Sequence, residues 1–451
     1  MLTSLELRAL LGLVFLYATR MLGLFMVLPV LALNAPQYSG ATAATIGLCL
    51  GIYGLTQGIL QIPFGIASDR FGRKPLIIIG ILLFVAGSVI AAQAHTVYQL
   101  MLGRAVQGAG AVAGVIMALL ADVTREQVRT RAMAAVGGSI GVSFAVAMAL
   151  GPVIASHWGM SAVFWVTAAL GILGLPVLLS IPTPSRLSTH ELVPMPEMLG
   201  RVLRDSELLR LDVGIFVLHF AQMATWVSVP VLLEQVVGFA RDRHWYLYLI
   251  TMGAGFALMV PFIWYGETRR RMKPVFVGAI ALLAVAEVVL ASAGSHFAVM
   301  AAGLLLFFMA FNLLEASLPS LVSKLCPPGI KGTALGIYST SQFLGAFAGG
   351  ALGGLVAHRF GRESVFWFAG GAALVWFVVA STMRAPRRLR SLTLALSAGE
   401  TVVRREDLVG VVAGVEDVIH IPSHQVAYIQ VDDDALDNAH LERVLGRPLE
   451  A

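Results

Sequence analysis

Apolar residues along this chain come in blocks about twenty long, separated by short polar stretches. Leu10 to Leu33, Leu76 to Ala92 and Ala132 to Ala155 are the clearest. A helix of that length matches the roughly 30 Å hydrocarbon core of a bilayer. In lipid each backbone N–H and C=O must be satisfied within its own segment, so the blocks are expected to be helices. The pattern predicts twelve of them, at 9–33, 44–66, 75–93, 97–121, 132–156, 161–181, 211–236, 244–265, 273–293, 297–322, 332–356 and 362–383. The first block runs on through Arg20 to Pro29, longer than the core of a removable signal, and is read as the first span. Between the sixth and seventh blocks, residues 182–210 are polar, and Met195 to Leu203 reads as a short amphipathic helix on the membrane surface.

Composition agrees. The chain is 58% hydrophobic and 13% charged, about half the charge of a soluble domain, which is roughly one quarter. Lysine and arginine cluster in one alternating set of loops: Arg70, Arg73 and Lys74; Arg125, Arg129 and Arg131; Arg269 to Lys273; and Arg384 to Arg390. The opposite loops hold only Arg241, Arg243, Arg359 and Arg362, so the rich side and both termini are expected in the cytosol of a bacterial inner membrane. Two cysteines, Cys49 and Cys326, are too few and too far apart for a disulfide framework, and no metal site is expected. Cys326 is placed in a cytosolic loop.

The chain repeats itself at a shift of about 200 residues. Pro63-Phe64 precedes Asp69 as Pro261-Phe262 precedes Glu267, and the run from Ala149 to Ala155 resembles that from Ala351 to Ala357. A duplicated unit with the substrate path between its halves is a known transporter plan. The expected units are 1–181, a linker at 182–210, and 211–384. Residues 392–451 differ, with 11 acidic and 4 basic residues, a net of −7, against +12 for the rest. Alternation predicts strands at Leu392–Leu396, Val415–Ile421 and Val426–Val431, with helices at Glu400–Val412 and Leu436–Leu445. That order fits a small ferredoxin-like sandwich. It contains no cysteine, and His420, His424 and His440 are scattered. Its charge opposes nucleic-acid binding.

Several segments carry a family resemblance. Gly65-Ile66-Ala67-Ser68-Asp69-Arg70-Phe71-Gly72-Arg73-Lys74-Pro75 resembles the signature loop of the major facilitator superfamily. Gly103-Arg104-Ala105-Val106-Gln107-Gly108 resembles its second motif. Ala149-Leu150-Gly151-Pro152 resembles the antiporter motif of its drug:proton exchangers, with Ala147 in place of a glycine. Together with Arg20 to Pro29, Gly51 to Gln57, Tyr338 to Gly345 and the acidic tail, the chain resembles the YajR-type transporters of that family. The resemblance implies an all-α membrane protein of two six-helix bundles with a small α+β ferredoxin-like domain after them. It implies a charge network at Gly65, Asp69, Arg70, Gly72, Arg73, Lys74 and Asp122, reaching 331–335, that holds the cytosolic side closed. It links the intramembrane Arg104 to proton movement, and Gly151 and Pro152 to helix packing.

The residues themselves nominate the rest. Glu315 lies in an apolar block, where an ionised carboxyl is costly, and is the first candidate proton carrier, with Arg20 as an exchange partner. His219 and Glu287 are further candidates. Phe25, Met26, Tyr53, Gln57, Gln61, Asn312, Tyr338, Gln342, Met223 and Trp226 are candidate cavity residues, the polar ones spaced about a turn apart. The bland alternative for most of them is interhelical packing. No phosphate loop, metal cluster or nucleophile constellation is present, so neither an ATP-driven pump nor an enzyme is expected, and no cofactor. The expected function is proton-coupled export of a small, amphipathic molecule by a monomer. The alternatives are proton symport, or a ligand sensor signalling through the tail, which is expected to contact basic loops of the same chain.

Overall fold

The computed structural model describes residues 3–181, 200, 202–269, 271–326, 331–383, 389–395, 408–421, 426–432 and 435–445. Most of the expected surface helix at Met195–Leu203 lies outside them, with 200, 202 and 203 helical, as does most of the helix expected at Glu400–Val412.

Helices follow the apolar blocks. They are α1 (Ser4–Phe25), α2 (Ala43–Phe71), α3 (Arg73–Ala92), α4 (Val97–Ala109), α5 (Ala113–Val123), α6 (Glu126–Ser180), α7 (Ser206–Gln235), α8 (His244–Thr268), α9 (Met272–Ala291), α10 (Phe297–Leu325), α11 (Lys331–Phe360) and α12 (Ser364–Ser381). Four of their starts are set by side-chain caps. Thr3 with Glu6, Thr42 with Thr45, and Thr96 with Gln99 form reciprocal capping pairs, and Asp205 accepts from the first N–H groups of α7.

Three departures from the expected blocks have local causes. The first block ends its helix at Phe25, not Leu33, and 26–34 continue as turns. Pro29 has no N–H to give to the Phe25 carbonyl, which accepts from Leu28 instead. The fourth block breaks at Gly110–Val112 into α4 and α5, with short-range bonds replacing the α-helical ladder. The fifth and sixth blocks are joined without a loop, and α6 is two arms meeting at Gly159, where φ is +78°. Only glycine takes that backbone region without strain.

Ten helical stretches are long and apolar enough to cross a membrane, among them Arg131–Ser180, which holds both arms of α6. The glycine-rich α11 falls outside the ten. Counting the arms separately and adding α11 gives twelve long helices among the described residues.

Packing unites α1 with α6, and α2 with both α4 and α11; α11 in turn lies along α7. The α2–α11 seam is built on glycine. A Cβ added to Gly47 would stand 2.3 Å from the Gly350 carbonyl, and one on Gly51 2.6 Å from that of Phe347. This is the small-residue contact that lets membrane helices approach closely.

The tail forms a three-stranded antiparallel sheet in the order β1-β3-β2, from β1 (Leu389–Ala395), β2 (Val415–Ile421) and β3 (Val426–Asp432), followed by α13 (Asn438–Leu445). Leu408, Val418, Ile429 and Leu441 share its core. β1 starts at Leu389, before the compositional boundary at 392, because strand pairing with β3 rather than charge fixes its end. The helix expected up to Val412 has ended by Val409, which bridges to Val412 across a turn.

Candidate functional site

Two polar sites emerge. The first is the loop between α2 and α3. Gly72, at φ +94°, turns the chain in a single residue. The turn puts Arg73 between two carboxylates. It pairs with Asp69 and donates Nε to Asp122 Oδ2 at 3.0 Å, while NH1 reaches Ser68 Oγ at 2.6 Å. Asp69 is half exposed and Asp122 sheltered. The Asp69 pair, exposed on its acid side, contributes at most about 1 kcal/mol, so that arm of the network can form and break. Lys74 bonds the Ile181 carbonyl at the end of α6. Arg70 lies over the Phe71 ring at 5.4 Å and takes no part in the ion pairs. Gly65 has nothing within 4 Å of an added Cβ, so no close helix contact requires glycine there.

The second site lies midway along the helices. On one side Arg20 is buried and donates NH2 to Gln57 Oε1 at 2.7 Å and to the Tyr53 hydroxyl at 3.3 Å. On the other side Glu315, His219 and Gln342 converge from α10, α7 and α11. The Gln342 amide lies 2.8 Å from His219 Nε2 and 3.4 Å from Glu315 Oε1. With His219 Nδ1 facing the Ile215 carbonyl at 3.3 Å, the arrangement fits a neutral imidazole whose Nε2 accepts from Gln342. About a third of the Glu315 side chain (32%) stays accessible, so it lies on a cavity wall rather than in the packed core. Arg20 and Glu315, expected as exchange partners, form no ion pair among the described residues. Tyr17 lies in the electrostatic field of both.

Other candidates fall elsewhere. Arg104 is fully buried, bonds Gln107 (2.9 Å) and the Cys49 carbonyl, and stacks on Tyr53 at 4.9 Å, which ties it to the Arg20 side. Glu287 is held away from the cluster by Thr225 Oγ1 at 2.7 Å. Met26, Met223 and Trp226 are buried in the apolar core instead of meeting the polar cluster. Trp226 packs edge-on to Tyr248, and Met26 lends its carbonyl to the close approach of Gly151, 2.4 Å from an added Cβ. Pro152 continues that helix. Phe25 packs on Phe144 at 4.9 Å, and Phe144 leads through Phe311 to His219. Asn312 Nδ2, Gln61 Oε1 and the Tyr338 hydroxyl are buried polar atoms without a described protein partner, which fits positions awaiting water or ligand. Cys326, buried, is the cap that follows the last residue of α10, with extended backbone.

The two ends of the molecule are packed differently. At the end opposite the gate loop, α2 and α11 touch backbone to backbone, and Arg241 pairs with Glu234 (3.0 Å) while bonding the Leu33 carbonyl (3.1 Å). Toward the gate loop, Gly137, Gly138, Gly141, Gly332 and Gly336 have nothing within 4 Å of an added Cβ. The end opposite the α2–α3 loop is thus sealed by backbone contact between α2 and α11. Sequence reasoning took Arg241 as a loop charge; only the fold shows its carboxylate and carbonyl partners. It also missed Asp212, a buried carboxyl on α7.

A bundle of long apolar helices, sealed at one end around a buried polar cluster, is the build of a transporter. The profile of the Major Facilitator Superfamily matches residues 13–350 and, in an overlapping match, 264–413. The chain belongs to that superfamily of membrane transporters. It is 45% identical over 447 residues to the Inner membrane transport protein YajR of Escherichia coli (strain K12), covering 98% of this chain and 97% of that one. It is 29% identical over 346 residues to the Multidrug resistance protein MdtH of Aeromonas hydrophila, covering 74% of this chain and 83% of that one. A solved structure of a D-xylose-proton symporter has the same fold, with a TM-score of 0.66 at 18% identity over 84% of this chain and 96% of that one.

Proposed function

We propose that this transporter is a proton-coupled exporter of a small, amphipathic molecule across a bacterial inner membrane, working by alternating access. The observation that carries this is the Glu315–His219–Gln342 cluster: a carboxyl on a cavity wall at membrane depth, hydrogen-bonded in a way that suits binding and release of a proton. Aromatic rings beside it, Phe311 edge-on to His219 and Phe144 beyond, suit an amphipathic cargo. The multidrug name of one relative and the inner-membrane name of another agree with this direction. Residues 1–181 and 211–384 are the two moving halves, linked by 182–210, with both termini cytosolic and the chain acting as a monomer. The sealed end then corresponds to a state closed opposite the α2–α3 loop, and the Asp69–Arg73–Asp122 network, already formed within the first half, is the part of the latch that engages the start of α11 when the cytosolic side closes.

The test is flux in proteoliposomes with an inward proton gradient and an internal pH dye. A panel of amphipathic cations and organic anions should contain compounds that dissipate the gradient faster than in protein-free vesicles. Saturable binding across the panel with no proton-dependent flux would favour the sensor reading instead.

The tail belongs to this proposal as a ferredoxin-like regulatory domain. Its antiparallel β1-β3-β2 order is part of such a sheet, and its charge of −7 complements Arg269, Arg271 and Lys273. Removal of residues 389–451, from the first residue of β1, is expected to abolish the salt dependence of transport between about 50 and 300 mM, where exposed charges are progressively screened. Identical salt profiles with and without the tail would exclude docking on those loops.

A further inference from the structure

Asp212 has no part in the coupling cluster as described. It sits six residues inside α7, it is 7% exposed, and its Oδ2 has no hydrogen-bond partner among the described residues. An unpartnered buried carboxylate is costly, so the position calls for a second occupant: a proton, or water delivering one.

The register of α7 against α11 gives it neighbours. Gly345 packs on the Phe216 backbone, Gly349 on that of Phe220 and Gly353 on Ala224. One turn below the first contact stand Asp212 and, on α11, Ser341, flanked by Tyr338 and Gln342. Tyr338 interacts electrostatically with both Asp212 and Glu315, and its hydroxyl is buried without a partner. On α7 itself His219 stands on the same face two turns further, about 10 Å along the axis. Arg210 is engaged by Glu207. From α12, Trp376 packs against Gly214. Tyr338, three residues before Ser341 on α11, is thus a titratable side chain within electrostatic reach of both carboxyls, and Asp212, near the start of α7, lies toward the α2–α3 loop end.

We propose that Asp212 is the inner terminus of a proton route that runs from Glu315 through the Tyr338 hydroxyl to the cytosolic face. The proposal rests on the reading of Glu315 as the coupling carboxyl. In the step, Glu315 gives its proton to the Tyr338 oxygen while Tyr338 gives its own to the Asp212 carboxylate, with water filling any gap. One proton moves, no electrons do, and Asp212 then releases it to water.

The test uses the full-length protein in nanodiscs, with the proton as the only ligand, followed by infrared difference spectroscopy across a pH jump. The wild type should show separate protonated-carboxyl bands lost in Asp212→Asn and in Glu315→Gln. In Asp212→Asn the Glu315 band should respond at least tenfold more slowly, and Asp212→Glu should restore the rate. Tyr338→Phe should keep both bands and slow the response, which keeps the route testable if Asp212→Asn misfolds. A Glu315 band that responds at wild-type speed in both Asp212→Asn and Tyr338→Phe overturns the route. Absence of any band change in Glu315→Gln overturns the coupling reading itself, a distinguishable failure.

Discussion

Glu315→Gln is expected to reduce proton-driven transport to the level of protein-free vesicles while the protein stays folded. Glutamine has the shape of the protonated acid, and it can still accept from the Gln342 amide now 3.4 Å from Glu315 Oε1. What it lacks is a removable proton. Exchange of one such neutral hydrogen-bonding group for another costs about 1 kcal/mol or less, so the thermal unfolding midpoint should move little. His219 cannot substitute, because its ring nitrogens are already engaged by the Ile215 carbonyl and Gln342. Vesicles carrying Glu315→Gln should therefore bind a transported compound and fail to accumulate it against its gradient. Accumulation at the wild-type level would remove Glu315 from the coupling mechanism.

The second large effect concerns the sealed end. In Gly350→Val the first added carbon would lie 2.6 Å from the Gly47 carbonyl and 2.8 Å from the Gly51 nitrogen. Both obstacles are backbone, so no side-chain rotation relieves them, and the helices must separate. Overpacking of this kind costs about 1–3 kcal/mol, enough to shift a two-state balance roughly tenfold or more. Transport should fall by a similar factor. In a background without Cys49 and Cys326, nitroxides at Gln37 and Glu363, both exposed at that end, should move apart. An unchanged distance distribution with normal transport would mean that the α2–α11 seam has no part in closing this end.

Much of this was legible in sequence, for reasons that can be named. Apolar length specifies a span because lipid offers the backbone no alternative, so the helices were readable as blocks, whereas their ends, such as Phe25 for an expected 33, and the break at Gly110–Val112 were not. The gate loop was readable because a one-residue turn needs Gly72 and because Arg73 lies between acids on either side of it in the fold. The cluster was half readable. Glu315 stands out as a carboxyl in an apolar block, whereas its union with His219 and Gln342 joins residues 96 and 27 positions away, which no local pattern announces. Asp212 was hidden by its neighbours: after Asp205, Glu207 and Arg210 it reads as one more charge in the first turns of a helix. The seam was hidden for the opposite reason, since a helix rich in glycine looks weakly hydrophobic and does not name its partner. Arg20 and Glu315 look complementary on paper, yet Arg20 NH2 bonds Gln57 and Tyr53 while its Nε and NH1 have no hydrogen-bond partner among the described residues.

The junction at Gly159 has a practical consequence. Between Glu126 and Ser180 the chain crosses from one arm of α6 to the other in a single residue, beside exposed Trp158 and pinned by Ser161 Oγ to the Ala92 carbonyl at 2.6 Å. There is no slack there to thread into a protease cleft or to carry an epitope tag. Insertions at 159 should behave like insertions in the middle of a helix, and topology mapping of this end is better aimed at the turn around Gly238.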